Sequence, residues 1–483
     1  MAPSSLHVAS ELYPLIKTGG LADVMGALPS ALNRLGAPTR VLLPGYPGVM
    51  ASAGAMTAIT EWPNLFGGGA ARVLADDLEG IDVPAYVLDV PGFFDRPGNP
   101  YLDDNGHDWP DNARRFAALS WTGAELARGL DPRWQPDVVH SHDWQAGLIP
   151  AYLAADPAPT PKTAIAVHNL AYQGVFPGDT FAWLGLPASS FSPEGLEFYG
   201  QVSFLKAGLA AADRITTVSR TYAQEIQSVE QGCGFDGLLR SRADVLSGIV
   251  NGADYDVWNP ATDHRLPRPY GAKSIDDKEV AKKALRERLG LDQVAEGPLF
   301  GVVSRLTWHK GLDLLFAALP VLLERGGQLA LLGTGEAGLE AGFRASADRF
   351  AGQVGAVLGY DEELAHLIIA GSDVVLVPSR AEPCGLTQIY AMKYGSLPLV
   401  RNTGGLADTV VNADAKATAA GTATGFVFNL ATVDALAGTI GWVCDQWRDQ
   451  AQWRSMQQTA MAMDFSWGRA AGDYLRLYEE MVA

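Results

Sequence analysis

Short apolar runs, each closed by turn residues and followed by a stretch with helical spacing, recur along almost the whole chain. Such runs read as strands buried on both faces, and helices between them imply a parallel sheet. In the first half the strand candidates are LHVAS near Leu6, TRVLLP from Thr39, VPAYVLDV from Val83, PDVVH from Pro136 and KTAIAVH from Lys162. Helical spacing marks LADVMGALPSALNRLG after Gly20, DNARRFAALSWTGAELARGL from Asp111 and QAGLIPAYLAA from Gln145, with Gly36 and Gly129 placed as C-caps. The second half repeats the plan. PLFGVVSR, QLALLGTG, VGAVLGY, SDVVLVPS and LPLVRN are strands; KGLDLLFAALPVLLERGG, DEELAHLIIAG and LTQIYAMKYG are helices.

A chain of 483 residues is long for one core, which favours two domains. Turn residues cluster from Ser247 to Pro260, so the expected domains are 1–247 and 248–460. The stretch from Lys273 to Arg288 is charged and reads as exposed. The segment 461–483 carries an amphipathic helix from Trp467, expected to pack back on the first domain.

The hexapeptide TGGLAD occurs twice, at Thr18–Asp23 and Thr403–Asp408, each time between an extended stretch and a helical pattern. A Gly-Gly pair at such a turn lets backbone N–H groups approach an anion, and a helix N-terminus favours negative charge. Two such turns suggest two similar α/β halves facing one cleft. In open parallel sheets ligands bind beyond the carboxyl ends of the strands. There the chain places Lys17, His140 to Asp143, His168 with Asn169, Arg305, and Glu382.

The net charge of −18 argues against nucleic acid and anionic membranes as partners, though not against a small anion held by local cations. Cys233, Cys384 and Cys444 form neither a disulfide framework nor a metal spacing, which fits a reducing cytoplasm. MAPSSLHVASELYPL lacks the basic and long apolar regions of a signal peptide. Nothing in the sequence fixes an oligomeric state.

SRLTWHKG supplies Arg305, a planar fork for phosphate oxygens, and Lys310, a mobile point charge, after a buried strand. In PSRAEPCGLTQ, Pro383 fixes a turn after Glu382, and Cys384, Gly385, Leu386 and Thr387 open a helix. Amides at that opening, with the Thr387 hydroxyl, suit a phosphate, and the carboxylate suits sugar hydroxyls. Glu382 could instead serve the helix dipole, and Cys384 reads as a packing cysteine rather than a nucleophile. Three further patterns compete. GTGEAG, Gly333 to Gly338, matches a dinucleotide fingerprint with Asp361 beyond it, but follows the second strand of its domain; its Gly335 could still approach a nucleotide phosphate. HSHD at His140 to Asp143 resembles a metal site without a second ligand cluster. DYD at Asp254 to Asp256 reads as a turn.

KTGGLADV, PGYP, RPGNPY, HSHDWQAGL, VHNLAYQG, SGIVNGADYDVWNP, SRLTWHKGLDL, LVPSRAEPCGLTQIYAMKYG, LPLVRNTGGLADTV and ATGFVFN occur in this order and span nearly the whole chain. Together they resemble the bacterial glycogen synthase and plant starch synthase family. The resemblance implies an α/β protein of two Rossmann-like, doubly wound domains facing a cleft (GT-B type). It implies transfer of glucose from ADP-glucose to the non-reducing 4-OH of an α-1,4-glucan such as glycogen, with retention and without a metal or other cofactor. The first domain would be the acceptor side and the second the nucleotide-sugar domain. Arg305 and Lys310 would neutralise the leaving diphosphate, Glu382 would hold the transferred glucose, and Gly385, Leu386 and Thr387 beside Cys384 would seat the phosphates. Lys17, Gly20 and Asp23 would contact the donor. His168, Asn169 and Asp143 would meet the sugar, Tyr101 would lie near sugar and acceptor, and Tyr360 would stack on adenine. Retention would follow from front-face attack, with an oxygen of ADP taking the acceptor proton and domain closure excluding water. An NAD-linked oxidoreductase built on GTGEAG and a catalytically silent glucan-binding protein are the alternatives.

Overall fold

The computed structural model describes residues 2–54 and 56–483. Its contacts divide the chain into two units, one running to Gly252 and taking up Trp467–Ala483, the other Ala253–Ser466. These limits fall a few residues beyond the expected 247 and 460.

The first unit contains strands β1 (Ser5–Val8), β2 (Thr39–Pro44), β3 (Thr57–Trp62), β4 (Ala71–Asp76), β5 (Ala85–Asp89), β6 (Val138–His142), β7 (Lys162–Val167), β8 (Val175–Phe176), β9 (Glu197–Phe198), β10 (Gln201–Ser203), β11 (Arg214–Thr217) and β12 (Leu246–Gly248). Nine of them form one sheet in the order β12-β11-β7-β6-β1-β2-β5-β4-β3, and β8, β10 and β9 form a small one. The large sheet is parallel from β12 to β5, as continuous apolar strands require. Its far edge is antiparallel: β3 and β4 make a hairpin that the parallel reading did not anticipate. β3 (TAITEW) is exposed or half-buried throughout, so it lacks the continuous apolar run that marks the other strands.

The helix Trp467–Val482 packs on the helix Gly20–Arg34. Its Trp467, Ala471, Tyr474 and Tyr478 share a buried cluster with Val24, Leu28 and Leu32 of that helix and with Val138 of β6 and Ala164 of β7. Apolar positions spaced three and four apart put these residues on one face.

The second unit has strands β13 (Leu299–Val303), β14 (Gln328–Gly333), β15 (Val354–Leu358), β16 (Val374–Val377), β17 (Leu397–Arg401) and β18 (Phe426–Phe428). All are parallel, in the order β15-β14-β13-β16-β17-β18. This is the Rossmann order, with the topological switch between β13 and β16. The stretch read as charged and exposed is corrected here: in the helix Lys278–Leu289, Lys278, Lys282 and Arg286 are buried. Spaced four apart, they form one stripe. Lys278 donates to the Ala370 carbonyl and the Ser396 hydroxyl, Lys282 pairs with Asp373 at 2.8 Å, and Arg286 donates to Gln328 Oε1 at 2.9 Å. Burial lowers the Lys278 pKa to about 7.

Among the described residues, no helix is long and apolar enough to cross a membrane.

Candidate active site

In the second unit the candidates converge on the switch point. The loop after β13 carries Arg305, which is exposed, and a 3-10 turn, Trp308–Lys310. The loop after β16 carries Glu382. Lys310 Nζ lies 2.5 Å from Glu382 Oε2, which also accepts from the Ser379 hydroxyl at 2.8 Å. Glu382 is only 8% exposed, so a cation beside it is a physical requirement.

Several contacts hold the two loops together. Gly311 has φ +69, and a methyl group there would lie 2.0 Å from the Pro378 carbonyl oxygen. Arg380 grips Asp313 through two bonds of 2.6 and 2.8 Å and lies over the Trp308 ring. Arg401 donates to the Ser379 and Arg380 carbonyls from β17.

The helix after Glu382 begins at Thr387, preceded by Leu386. Gly385 has φ +72, a conformation that favours glycine, and Cys384 is buried. Gln388 Nε2 donates to the Cys384 and Gly385 carbonyls. Tyr360 is 88% exposed.

The dinucleotide-like loop is committed to the protein itself. Gly333 and Gly335 allow close approach to the Ser304 and Leu306 backbone. Gly335 N–H donates to Glu340 Oε1 at 2.8 Å, as does the Thr334 hydroxyl at 2.6 Å. Asp361 caps the helix Glu362–Gly371 through Leu364 N–H and pairs with Arg288. The fingerprint also follows β14 rather than β13, the strand at the switch point. Asp254 of the DYD segment accepts from Asp256 N–H at 2.9 Å, forming a turn.

The first unit builds its own set beyond β1, β6 and β7. A residue the sequence reading missed, Glu11, stands at its centre and is 3% exposed. Its carboxylate accepts from Thr18 N–H (2.5 Å), the Thr18 hydroxyl (2.5 Å), Gly19 N–H (3.1 Å) and the Tyr101 hydroxyl (2.5 Å). The anion at the first TGGLAD turn is therefore the protein's own. Position could have revealed it: Glu11 lies three residues beyond the first strand, where ligand-binding groups gather. Lys17 pairs with Asp23 at 2.7 Å, while Gly20 begins the helix with open space around it. Burial and Glu11 together push the Tyr101 phenol well above its usual range. Buried Arg115 donates to the Pro100 carbonyl and to Asn112, which holds the Tyr101 carbonyl.

Asp143 has φ +54, a strained value for a non-glycine residue. Its Oδ1 accepts from His168 N–H at 2.8 Å. Burial raises its pKa to about 7, against the opposing pull of the His168 and Asn169 amides. His168 Nε2 is hydrogen-bonded to His142 Nδ1 at 3.0 Å, and burial lowers its pKa to about 4.

The HSHD segment gains a third histidine that the sequence did not point to. His7 of β1 joins His140 and His142 of β6, with ligand atoms within 4.8 Å of one another. Metal binding would need their nitrogens to converge on one point. Instead His140 and His142 are stacked, as are His7 and His142, and every ring nitrogen of the three has a hydrogen-bond partner.

Two Rossmann-like units with charged loops at their strand ends define a glycosyltransferase of the GT-B class. Residues 5–241 match a family model described as starch synthase catalytic domain, and residues 286–459 match one described as glycosyl transferases group 1. A glycogen synthase of Rhodopseudomonas palustris (strain BisA53) is 53% identical over 479 residues, covering 99% of this chain and 97% of that protein. Glycogen synthase 2 of Bradyrhizobium diazoefficiens is 52% identical over 477 residues, covering 99% and 98%. The solved catalytic domain of starch synthase IV from Arabidopsis thaliana, bound to ADP and acarbose, superposes with a TM-score of 0.87 at 33% identity and covers 100% of both chains. The chain belongs to the family of bacterial glycogen synthases and plant starch synthases.

Proposed function

We propose that this protein transfers glucose from ADP-glucose to the non-reducing 4-OH of an α-1,4-glucan, releasing ADP. The observation that carries this reading is the Lys310–Glu382 pair with Arg305 at the switch point of the second unit. As ADP departs, negative charge develops on its diphosphate. Arg305 and Lys310 stabilise that charge more in the transition state than in the ground state, which lowers the barrier. Glu382 holds Lys310 in place and offers its carboxylate to the glucose. The amides around Gly385, Leu386 and Thr387 receive phosphate oxygens, and Tyr360 stacks on adenine.

In the first unit, Asp143, His168 and Asn169 take the sugar hydroxyls, and Tyr101, fixed by Glu11, borders sugar and acceptor. Lys17, Gly20 and Asp23 contact the donor. A leaving group stabilised in this way needs no covalent nucleophile. An oxygen of ADP takes the acceptor proton on the face it leaves, and the α-configuration is retained. The reaction proceeds without a metal, in the cytoplasm.

The test is initial rates with ADP-glucose and UDP-glucose side by side on glycogen, with and without EDTA. ADP release with chain lengthening, faster with ADP-glucose and indifferent to EDTA, is expected. No turnover with either donor would overturn the reading, and loss of rate in EDTA would overturn its metal-free form.

A further inference from the structure

His7, His140, His142 and His168 lie in single file with Tyr478 and Thr216. The links run Thr216 Oγ1 to His140 Nε2 (3.1 Å), His140 Nδ1 to Tyr478 Oη (2.6 Å), Tyr478 Oη to His7 Nε2 (3.2 Å), His7 Nδ1 to His142 Nε2 (3.0 Å) and His142 Nδ1 to His168 Nε2 (3.0 Å). The strands make this row possible. His7 and His140 are register partners, His140 and His142 alternate onto one face of β6, and His168 follows β7 directly. Tyr478 enters from the C-terminal helix.

All three inner histidines are fully buried, and burial holds all four rings neutral: His7 falls to about 3, His168 to about 4, and His140 and His142 well below the usual value. A neutral imidazole has one donor and one acceptor nitrogen. With the buried Tyr478 proton donated to one of its two histidines, each link dictates the next, and the row has two senses. In one, every histidine carries its proton on Nε2 and the Thr216 hydroxyl donates outward. In the other, every proton sits on Nδ1 and Thr216 donates inward. The first sense gives the Thr216 proton an acceptor of its own, the Ile165 carbonyl at 3.4 Å, and so satisfies one more group within the protein.

We propose that this row is a positioning device that fixes His168 as the Nε2–H tautomer, leaving its Nδ1 as an acceptor for a sugar hydroxyl. Tyr478, His7, His140, His142 and Thr216 are then positioning residues for His168. The orienting partner on one ring nitrogen decides what the other can do. The proposal rests on the reading of His168 as a sugar-facing group. It adds that a hydroxyl on the last helix of the chain sets the chemistry of that group.

The experiment uses full-length protein with 15N-labelled histidine, in which imidazole nitrogen shifts report each tautomer. In the unsubstituted protein His168 is expected to be Nε2–H. Tyr478→Phe cuts the row between His140 and His7, so His168 should become a mixture of tautomers. The kcat/KM for ADP-glucose should fall about tenfold, the equivalent of one net hydrogen bond, while the Kd of ADP, which has no glucose to contact, stays within twofold. Thr216→Val removes the hydroxyl at the other end, keeps the side-chain volume, and should mix the tautomers in the same way; it serves if the Phe variant does not fold. An Nδ1–H His168 in the unsubstituted protein overturns the proposal. So does a His168 that stays purely Nε2–H in a folded variant, even one of reduced thermal stability. The tautomer readout does not depend on turnover, so an inactive protein with the expected shifts would count against the proposed function and not against the row.

Discussion

In the first TGGLAD copy, a methyl group added at Gly19 or Gly20 would meet nothing within 4 Å; in the second, one added at Gly404 would lie 1.9 Å from the Glu382 carbonyl oxygen, and one at Gly405 2.1 Å from that of Cys384. The first copy also keeps Thr18 and Gly19 amides turned to a carboxylate, that of Glu11. The second turns Gly405 N–H to the Glu382 and Pro383 carbonyls. Glycine thus serves two ends. In one copy it leaves room beside a helix start; in the other it lets one backbone press on another and seats the segment that presents Glu382. The same six residues do not define a site until their neighbours are known.

The comparison can be broken most directly at Gly404. Its φ is +45, so Gly404→Ala meets both strain and a clash. A loss of at least about 3 kcal/mol, or failure to fold, is expected by denaturant unfolding. Survival with normal stability would show that the second copy does not press on the Glu382 segment.

Next comes the pair which that segment presents. Lys310→Ala should lower kcat by at least roughly a hundredfold. A change confined to the KM for ADP-glucose would remove Lys310 from the leaving-group chemistry.

Glu11→Gln sharpens the other half of the contrast. It keeps the shape but weakens a carboxylate holding two amides and two hydroxyls. A cost of about 1–3 kcal/mol in thermal or denaturant unfolding is expected, together with reduced kcat.

Asp143 tests the same unit through pH. It keeps its proton to about pH 7 in the folded protein and loses it near pH 4 when unfolded. The folded state therefore binds more protons between these values, and stability falls as pH rises from about 4 to about 7. Asp143→Asn should remove that slope, which amounts to about 1.4 kcal/mol per pH unit, or on the order of 4 kcal/mol over the window. An unchanged pH profile of the unfolding midpoint would refute the raised pKa.

The smallest effect on stability belongs to Gly20→Ala: within about 0.5 kcal/mol, since the space is open. Its KM for ADP-glucose should nonetheless rise several-fold if donor fills that space. Unchanged kinetics would leave the first copy without a ligand.

How far the sequence could be read depended on whether the signal was local. Apolar runs such as LFGVV and VVLV disclosed their strands, and Arg305 and Glu382 stood out because they follow those runs. Glu11 and His7 did not stand out, since each is a single polar residue whose partners lie far along the chain: Tyr101 for one, His142 and Tyr478 for the other. The β3–β4 hairpin has too little apolar contrast to mark it. The stripe Lys278, Lys282 and Arg286 looked solvated because its acceptors, Ala370, Asp373 and Gln328, come from remote segments.

The helix Trp467–Val482 also bears on the order in which the protein is made. It completes the buried cluster around Val24, Leu28 and Leu32, which leave the ribosome long before it does. At roughly 5–20 residues per second, the 253–466 stretch takes about ten to forty seconds to synthesise. Throughout that interval the nascent first unit carries an uncovered apolar face and lacks Tyr478. The first unit is begun before the second and completed after it, and a chain released before Trp467–Val482 is made would expose that face to chaperones and proteases.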